Sequence, residues 1–163
     1  MSIETPLVEV EGPKNRRLVS LRRTFRVPIE ELWSALTEPD RVRCWFAPAK
    51  IDPQVGGRIE LEQPDGSKMM EGMIRVFDPP RAFEYDWVSR HQTSIVRYEL
   101  EPDGDGTRLT LTEHRLTDAA VHQRAPGWHH NVERLEAYLE RGTSQPPDGP
   151  RWEAPGKIYR GRC

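Results

Sequence analysis

Apolar and polar residues alternate along most of the first two thirds of the chain. The earliest alternating segment runs from Leu18 to Arg26 and places Val19, Leu21 and Phe25 on one face. A period of two is that of a strand with one buried face. Five more such segments follow the Gly56-Gly57 pair: 59–61, 70–77, 83–87, 96–100 and 109–111. Turn sequences at 64–67 and 103–106 separate some of them, so the pattern predicts an antiparallel meander.

Two other regions repeat with the period of a helix. Residues 29–36 carry one apolar stripe after Pro28, and Glu38-Pro39-Asp40 then interrupts it before a second, short helix that stops at Pro48. Near the C-terminus, another stripe predicts a long helix that stops at Gly142, with a potential break at Pro126-Gly127. Its members are Trp128, Val132, Leu135 and Leu139.

The chain therefore divides into one domain and two flanking segments. Residues 1–17 show no sustained period and are predicted to be a loosely held arm. Residues 18–142 hold all the periodic elements, and 163 residues leave little room for a second core. Residues 143–163 are rich in Pro, Gly and Arg and are predicted to be a tail.

Charge and cysteine content narrow the class of protein. The net charge of -2 disfavours a nucleic-acid partner, and no apolar run is long enough to cross a membrane. The N-terminal residues lack the features of a secretory signal, and two cysteines, Cys44 and Cys163, are too few for a disulfide framework. We therefore expect a soluble cytoplasmic protein in which Cys44 is a buried structural thiol.

Eight short motifs occur in the order found in one known family. They are Arg23-Thr24-Phe25 before Pro28, 31–36 (ELWSAL), 45–48 (WFAP), Gly56-Gly57, Gly72 followed by 78–80 (DPP), Trp87, 103–107 (DGDGT) and Gly127-Trp128. In this order, over about residues 18–142, the chain resembles the domain family named after the activator of the heat-shock-protein-ninety ATPase. That family is related to the START and birch-pollen-allergen-like proteins.

The resemblance implies an α+β helix-grip fold, in which a curved antiparallel sheet wraps around a long C-terminal helix and encloses a cavity. Members of the family include small-molecule binders, aromatase or cyclase relatives and co-chaperone domains, so the fold alone does not fix the function. A chaperone partner or a homodimer is therefore possible, although this chain carries only a short arm where the full co-chaperones have a large N-terminal domain.

The periods of the strands and helices indicate which side chains point inward and are expected to line such a cavity. Many are aromatic residues with a polar atom, which suits an apolar ligand held by a few hydrogen bonds, although the same residues also fill ordinary cores. The candidates are Trp33, Trp45, Phe46, Met70, Phe83, Tyr85, Trp87, Tyr98, Leu111, Trp128, His129 and Val132. The phase also places Ile74 and Val76 on the inner face. We expect Trp33, Trp45, Trp87 and Tyr98 to border one common cavity.

Two charged residues fall on the inner face of the sheet by the alternation of their strands. Arg23 and Glu113 lie on the first and last strands, which are neighbours in the implied fold. Because buried charges are tolerated mainly in pairs, we predict that they pair at the polar end of the cavity, as a structural ion pair or to orient a ligand.

The histidines give a weaker signal. The spacing of His122, His129 and His130 is poor for a metal site, and His129 is the best candidate for an acid or base at the pocket mouth.

These observations favour non-covalent binding of a small hydrophobic or aromatic molecule, with no cofactor and no metal. Two alternatives remain open. One is a cyclase- or hydrolase-like enzyme that uses a pocket acid or base, and the other is an interaction module for a chaperone or regulator.

Overall fold

The computed structural model describes residues 8–90 and 92–141. Its strands form one antiparallel eight-stranded sheet in the order β1-β2-β8-β7-β6-β5-β4-β3. The strands are β1 (Val8–Glu11), β2 (Arg17–Phe25), β3 (Ala49–Ile51), β4 (Arg58–Glu62), β5 (Lys68–Asp78), β6 (Ala82–Val88), β7 (Thr93–Asp103) and β8 (Gly106–Leu116). The helices are α1 (Ile29–Thr37), α2 (Pro39–Trp45) and α3 (Asp118–Arg141). The predicted helix-grip α+β fold is confirmed.

The meander from β4 to β8 follows the alternation in the sequence, and the tight turn at Gly104 joins β7 to β8. The long helix α3 packs against β1, β2 and β8, whereas α2 contacts β3 and α3. As predicted, Trp128, Val132 and Leu135 are buried and Leu139 packs against the core. The sheet and the three helices thus enclose one continuous apolar interior.

Two strands were not predicted. Val8–Glu11 forms the edge strand β1, antiparallel to β2, so this part of residues 1–17 is not a loose arm. Ala49–Ile51 forms β3, which pairs with β4 at the other edge. Both segments have four or fewer residues, too few to show a period of two.

Helix α3 also runs without interruption through Pro126. Proline removes one backbone donor from the helix, which frees the carbonyl of His122. Because Pro126 and His122 are both exposed, water can satisfy that carbonyl, and the predicted break does not occur.

Cys44 is buried in α2, as predicted, but it is disulfide-bonded rather than a free thiol. Its partner, and the predicted tail 143–163, lie outside the described residues. No helix in the part of the chain that the structure describes is long and apolar enough to span a membrane.

Candidate ligand site

A buried polar cluster lies where three strands meet the long helix. The register pairs Trp87 of β6 with Ser94 of β7, and Val96 of β7 with Glu113 of β8. Trp87, Ser94 and Glu113 therefore stand side by side on the inner face of the sheet. Above them, Arg124 and Trp128 project from the same face of α3, four residues apart.

Glu113 is the centre of this cluster, and its exposure is 0%. Its Oε1 accepts hydrogen bonds from Nε of Arg124 at 2.8 Å and from Nε1 of Trp128 at 2.7 Å. Its Oε2 accepts one from the hydroxyl of Ser94. Three donors, one of them the cation Arg124, stabilise a carboxylate whose burial without a partner would cost on the order of several kcal/mol.

Arg124 closes the cluster toward solvent. Its Cζ lies 3.9 Å from the centroid of the Trp87 ring and 5.6 Å from that of Trp128, which is cation–π geometry. The side chain is 21% exposed, so the guanidinium sits at the boundary between the interior and water.

Two tyrosines lie beside this cluster, deeper in the core. The hydroxyls of Tyr85 and Tyr98 are 2.9 Å apart, and both side chains are fully buried. Burial holds the pKa of both hydroxyls well above the usual range, and the negative charge of Glu113 adds to this effect. Both hydroxyls are therefore protonated at physiological pH, and each carries a hydrogen that it can donate.

The two tyrosine side chains line a small void between the sheet and the first two helices. The void measures about 10 Å³, close to the space of a single water molecule. Side chains from α1, α2, β3, β4, β6 and β7 line it. These are Leu36, Val42, Phe46, Ile51, Ile59, Leu61, Phe83, Tyr85 and Tyr98.

Four of the predicted ligand-binding residues, Phe46, Phe83, Tyr85 and Tyr98, line this void. The prediction that Trp33, Trp45 and Trp87 border the same space as Tyr98 is wrong. Trp33 packs edge-on against Phe77, Trp45 donates its indole N–H to the carbonyl of Ala35, and Trp87 lies under Arg124. The other predicted members Met70, Leu111, Trp128 and Val132 are buried in the surrounding core.

The predicted pair of Arg23 and Glu113 does not form, although β2 and β8 are antiparallel neighbours. The register sets Val19 opposite Glu113 and Arg23 opposite Leu109. Four residues along a strand amount to about 13 Å, which is too far for an ion pair. Arg23 instead donates to Glu136 of α3 at 2.8 Å.

His129 is also placed differently from the prediction. It is half exposed, and its Nε2 lies 3.3 Å from Glu133 one turn along α3. It therefore lies on the solvent side of the helix, away from the void.

Sequence reasoning missed Ser94 and Arg124. Ser94 is in phase with Val96 and Tyr98, so the alternation of β7 extended backward would have placed it inside. Arg124 precedes Trp128 by four residues and so lies on the same face of a continuous helix, but a break at Pro126-Gly127 would have removed that relation.

The fold and this site together define an α+β helix-grip protein with a polar cluster at one end of an aromatic core. Comparison with known families gives the particular group. The chain belongs to the family described as Activator of Hsp90 ATPase homolog 1-like protein, whose model matches residues 26–140. No curated protein shows a significant similarity to the chain.

Solved structures agree with this assignment. MLL2253 from Mesorhizobium loti is 28% identical with a TM-score of 0.72, and the match covers 77% of this chain and 98% of that one. CalU16 from Micromonospora echinospora is 26% identical with a TM-score of 0.71, covering 83% and 85%. The Aha1 dimer from Colwellia psychrerythraea is 19% identical with a TM-score of 0.65, covering 77% and 97%, and shows the fold alone.

Proposed function

We propose that this protein binds a small, neutral aromatic molecule non-covalently in its interior, between the sheet and helices α1 and α2. The observation that carries the proposal is the Tyr85–Tyr98 pair at the void. Two hydroxyls supply two hydrogens, and their mutual bond uses one. Within residues 8–90 and 92–141 the second hydrogen has no acceptor. A ligand oxygen at the void would accept it.

The charges of the cluster favour a neutral ligand. Glu113 and Arg124 balance each other, and the other two donors to Glu113 are neutral. An ionised ligand group beside the buried tyrosines would have no counter-charge, which is strongly unfavourable in a protein interior. An uncharged carbonyl or ether oxygen on an aromatic ring meets both requirements.

The void is smaller than any such ligand, so binding requires side chains to move apart. Engineered apolar cavities that bind benzene measure about 150 Å³. One layer of the void wall comes from α1, α2 and β3, outside the central strands of the sheet. Two of its side chains, Phe46 and Ile51, are only half-buried. We expect the side chains of this layer to move apart when a ligand binds, while β6 and β7 keep their positions.

The two hydroxyls give a direct test with 1-tetralone, a neutral bicyclic ketone, and tetralin, its counterpart without oxygen. If each non-hydrogen atom contributes about 0.5 kcal/mol to the binding free energy, 1-tetralone should bind with a Kd on the order of 0.1 mM. We expect the double variant Tyr85→Phe/Tyr98→Phe to bind it about fivefold more weakly, since one hydrogen bond contributes about 1 kcal/mol. Quenching of tryptophan fluorescence or calorimetry would measure the Kd.

Each single variant retains one hydroxyl that is free to donate, so Tyr85→Phe and Tyr98→Phe alone should bind 1-tetralone almost as the wild type does. Tetralin should not distinguish the double variant from the wild type. If 1-tetralone does not bind, or binds all four proteins equally, the tyrosine pair is not a ligand site.

A second candidate function, an interaction module, is favoured by a groove on the outer face of the sheet. The groove has a volume of about 530 Å³ and is lined by the loop between β3 and β4 and by β4, β5 and β6, with Asp52, Arg58, Glu71 and Asp86 as its charged members. At its rim Met73 is 49% exposed and Val88 is 41% exposed, on adjacent strands. Exposed apolar side chains that lie together are typical of surfaces that bind other proteins.

The family description names Hsp90, which makes the Hsp90 ATPase the partner to test. If this groove were a docking surface for Hsp90, the wild-type protein would change the ATPase rate and Met73→Lys/Val88→Lys would abolish the change. Ser67→Lys, at an exposed turn outside the groove, is the matched control. An unchanged ATPase rate with the wild-type protein would rule out regulation of the Hsp90 ATPase by this groove.

A further inference from the structure

Phe46 contacts both the void and the tryptophans of the polar cluster. On one side its ring lines the void together with Tyr85 and Tyr98. On the other side it lies 6.1 Å from the Trp87 ring, stacked at 25°, and 5.4 Å from the Trp128 ring. Phe46 therefore lies between the void and the Trp87 ring, next to the direct edge contact of Tyr98 with Trp128, whose ring centroids are 6.3 Å apart.

Phe46 also stacks on Trp45, with the ring centroids 5.1 Å apart, and its neighbours are held more firmly than Phe46 itself. The indole N–H groups of Trp45 and Trp128 donate to the carbonyl of Ala35 and to Glu113, and Arg124 covers Trp87. All three tryptophans are buried, whereas Phe46 is half-buried and its ring has no hydrogen-bonding atom.

The backbone at Phe46 is also less constrained. Phe46 is the C-cap of α2, and the chain leaves the helix there through Ala47 and Pro48 before β3 begins. A ring at a helix end can turn away without breaking a strand or the middle of a helix. Among the aromatic residues around the void, Phe46 is thus the one that can move at least cost.

We propose that Phe46 occupies the place of the ligand in the closed protein, and that the aromatic ring of a bound ligand displaces it. This inference rests on the proposed ligand-binding function and specifies the place at which the aromatic ring of the ligand binds. Once Phe46 turns outward, the void and the space of a phenyl ring join into one ring-sized cavity. Its walls are then Tyr85 and Tyr98 on one side and the rings of Trp45, Trp87 and Trp128 on the other.

Truncation of Phe46 should therefore tighten binding. In the wild type the open conformation is only a fraction of the population, and the apparent Kd is raised in proportion. We expect Phe46→Ala to bind 1-tetralone about tenfold more tightly than the wild type, and Phe46→Leu to lie between the two. Phe77→Ala is the matched control, because Phe77 is also a half-buried aromatic residue that packs on Trp33 and Phe83 but does not line the void.

A second measurement follows the ring itself, in wild-type protein. In the free protein, NMR should show nuclear Overhauser effects between the ring of Phe46 and the indole of Trp128, and saturation with 1-tetralone should replace them with effects from the ligand. If Phe46→Ala and Phe46→Leu bind no more tightly than the wild type, or if the Phe46–Trp128 effects persist in the complex, Phe46 is not displaced and only this inference fails. If neither the wild type nor any variant binds 1-tetralone, the proposed function fails with it.

Discussion

Replacing Glu113 with leucine should lower the free energy of unfolding by about 3–5 kcal/mol, the range for a buried charge pair that loses one partner. The carboxylate is fully buried and accepts hydrogen bonds from Ser94, Arg124 and Trp128. Leucine fills a similar volume but leaves the indole N–H and the hydroxyl without an acceptor in the core. Urea denaturation followed by circular dichroism would measure the loss.

Two further variants separate charge from hydrogen bonding. Glu113→Gln keeps an acceptor oxygen and should cost less than Glu113→Leu. Arg124→Met/Glu113→Leu should cost less than the sum of the two single changes, since the double variant leaves no charge unpaired. A loss below about 0.5 kcal/mol for Glu113→Leu, as at an ordinary surface site, would mean that the cluster is not closed to water.

Gly72→Ala should lower the free energy of unfolding by about 3 kcal/mol or more, at the upper end of the cost of overpacking. Gly72 lies in β5, and a Cβ atom built there would come within 1.8 Å of the backbone carbonyl oxygen of Asp86 in β6. A backbone atom of a neighbouring strand cannot swing aside as a side chain can. The strands must separate, and thermal unfolding would show the cost as a lower Tm.

Gly127→Ala is the matched control, with the opposite expected sign. Gly127 lies within α3, and a Cβ there meets nothing within 4 Å. Alanine in an exposed helix interior is more favourable than glycine by about 1 kcal/mol, so this variant should be more stable than the wild type. Equal effects of the two substitutions would show that the close approach of Asp86 to Gly72 is wrong.

Most of the fold and part of the site could be predicted from the sequence, because an element with one buried face repeats its apolar residues with the period of a strand or a helix. The alternation in 83–87 and 96–100 placed Tyr85 and Tyr98 inside, and the alternation of the last strand placed Glu113 inside. The stripe from Trp128 to Leu139 predicted the face of α3 that packs on the sheet. These inferences need only the direction in which each side chain points.

The remaining features depend on distances between elements, which a period does not give. Arg23 shares a face with Glu113, yet its partner is Glu136, because strand register decides which residues are opposite. Val76 was predicted to lie on the inner face, but a register shift between Ile74 and Val76 sets Val76 opposite Glu84 and brings Phe77 opposite Phe83, against which its ring packs. Nor could the sequence show that Trp33, Trp45 and Trp87 do not line the void, because Trp87 alternates in step with Tyr85 on β6 and the helical stripes of α1 and α2 give only the buried side of Trp33 and Trp45.

A crystal structure of the protein saturated with 1-tetralone would test the central claim most directly. We predict electron density for the ligand between the sheet and helices α1 and α2, with the ketone oxygen within 3.2 Å, an ordinary hydrogen-bond distance, of the hydroxyl of Tyr85 or Tyr98. Density only in the outer groove beside Met73 and Val88, or an unchanged interior at saturating ligand, would contradict the account.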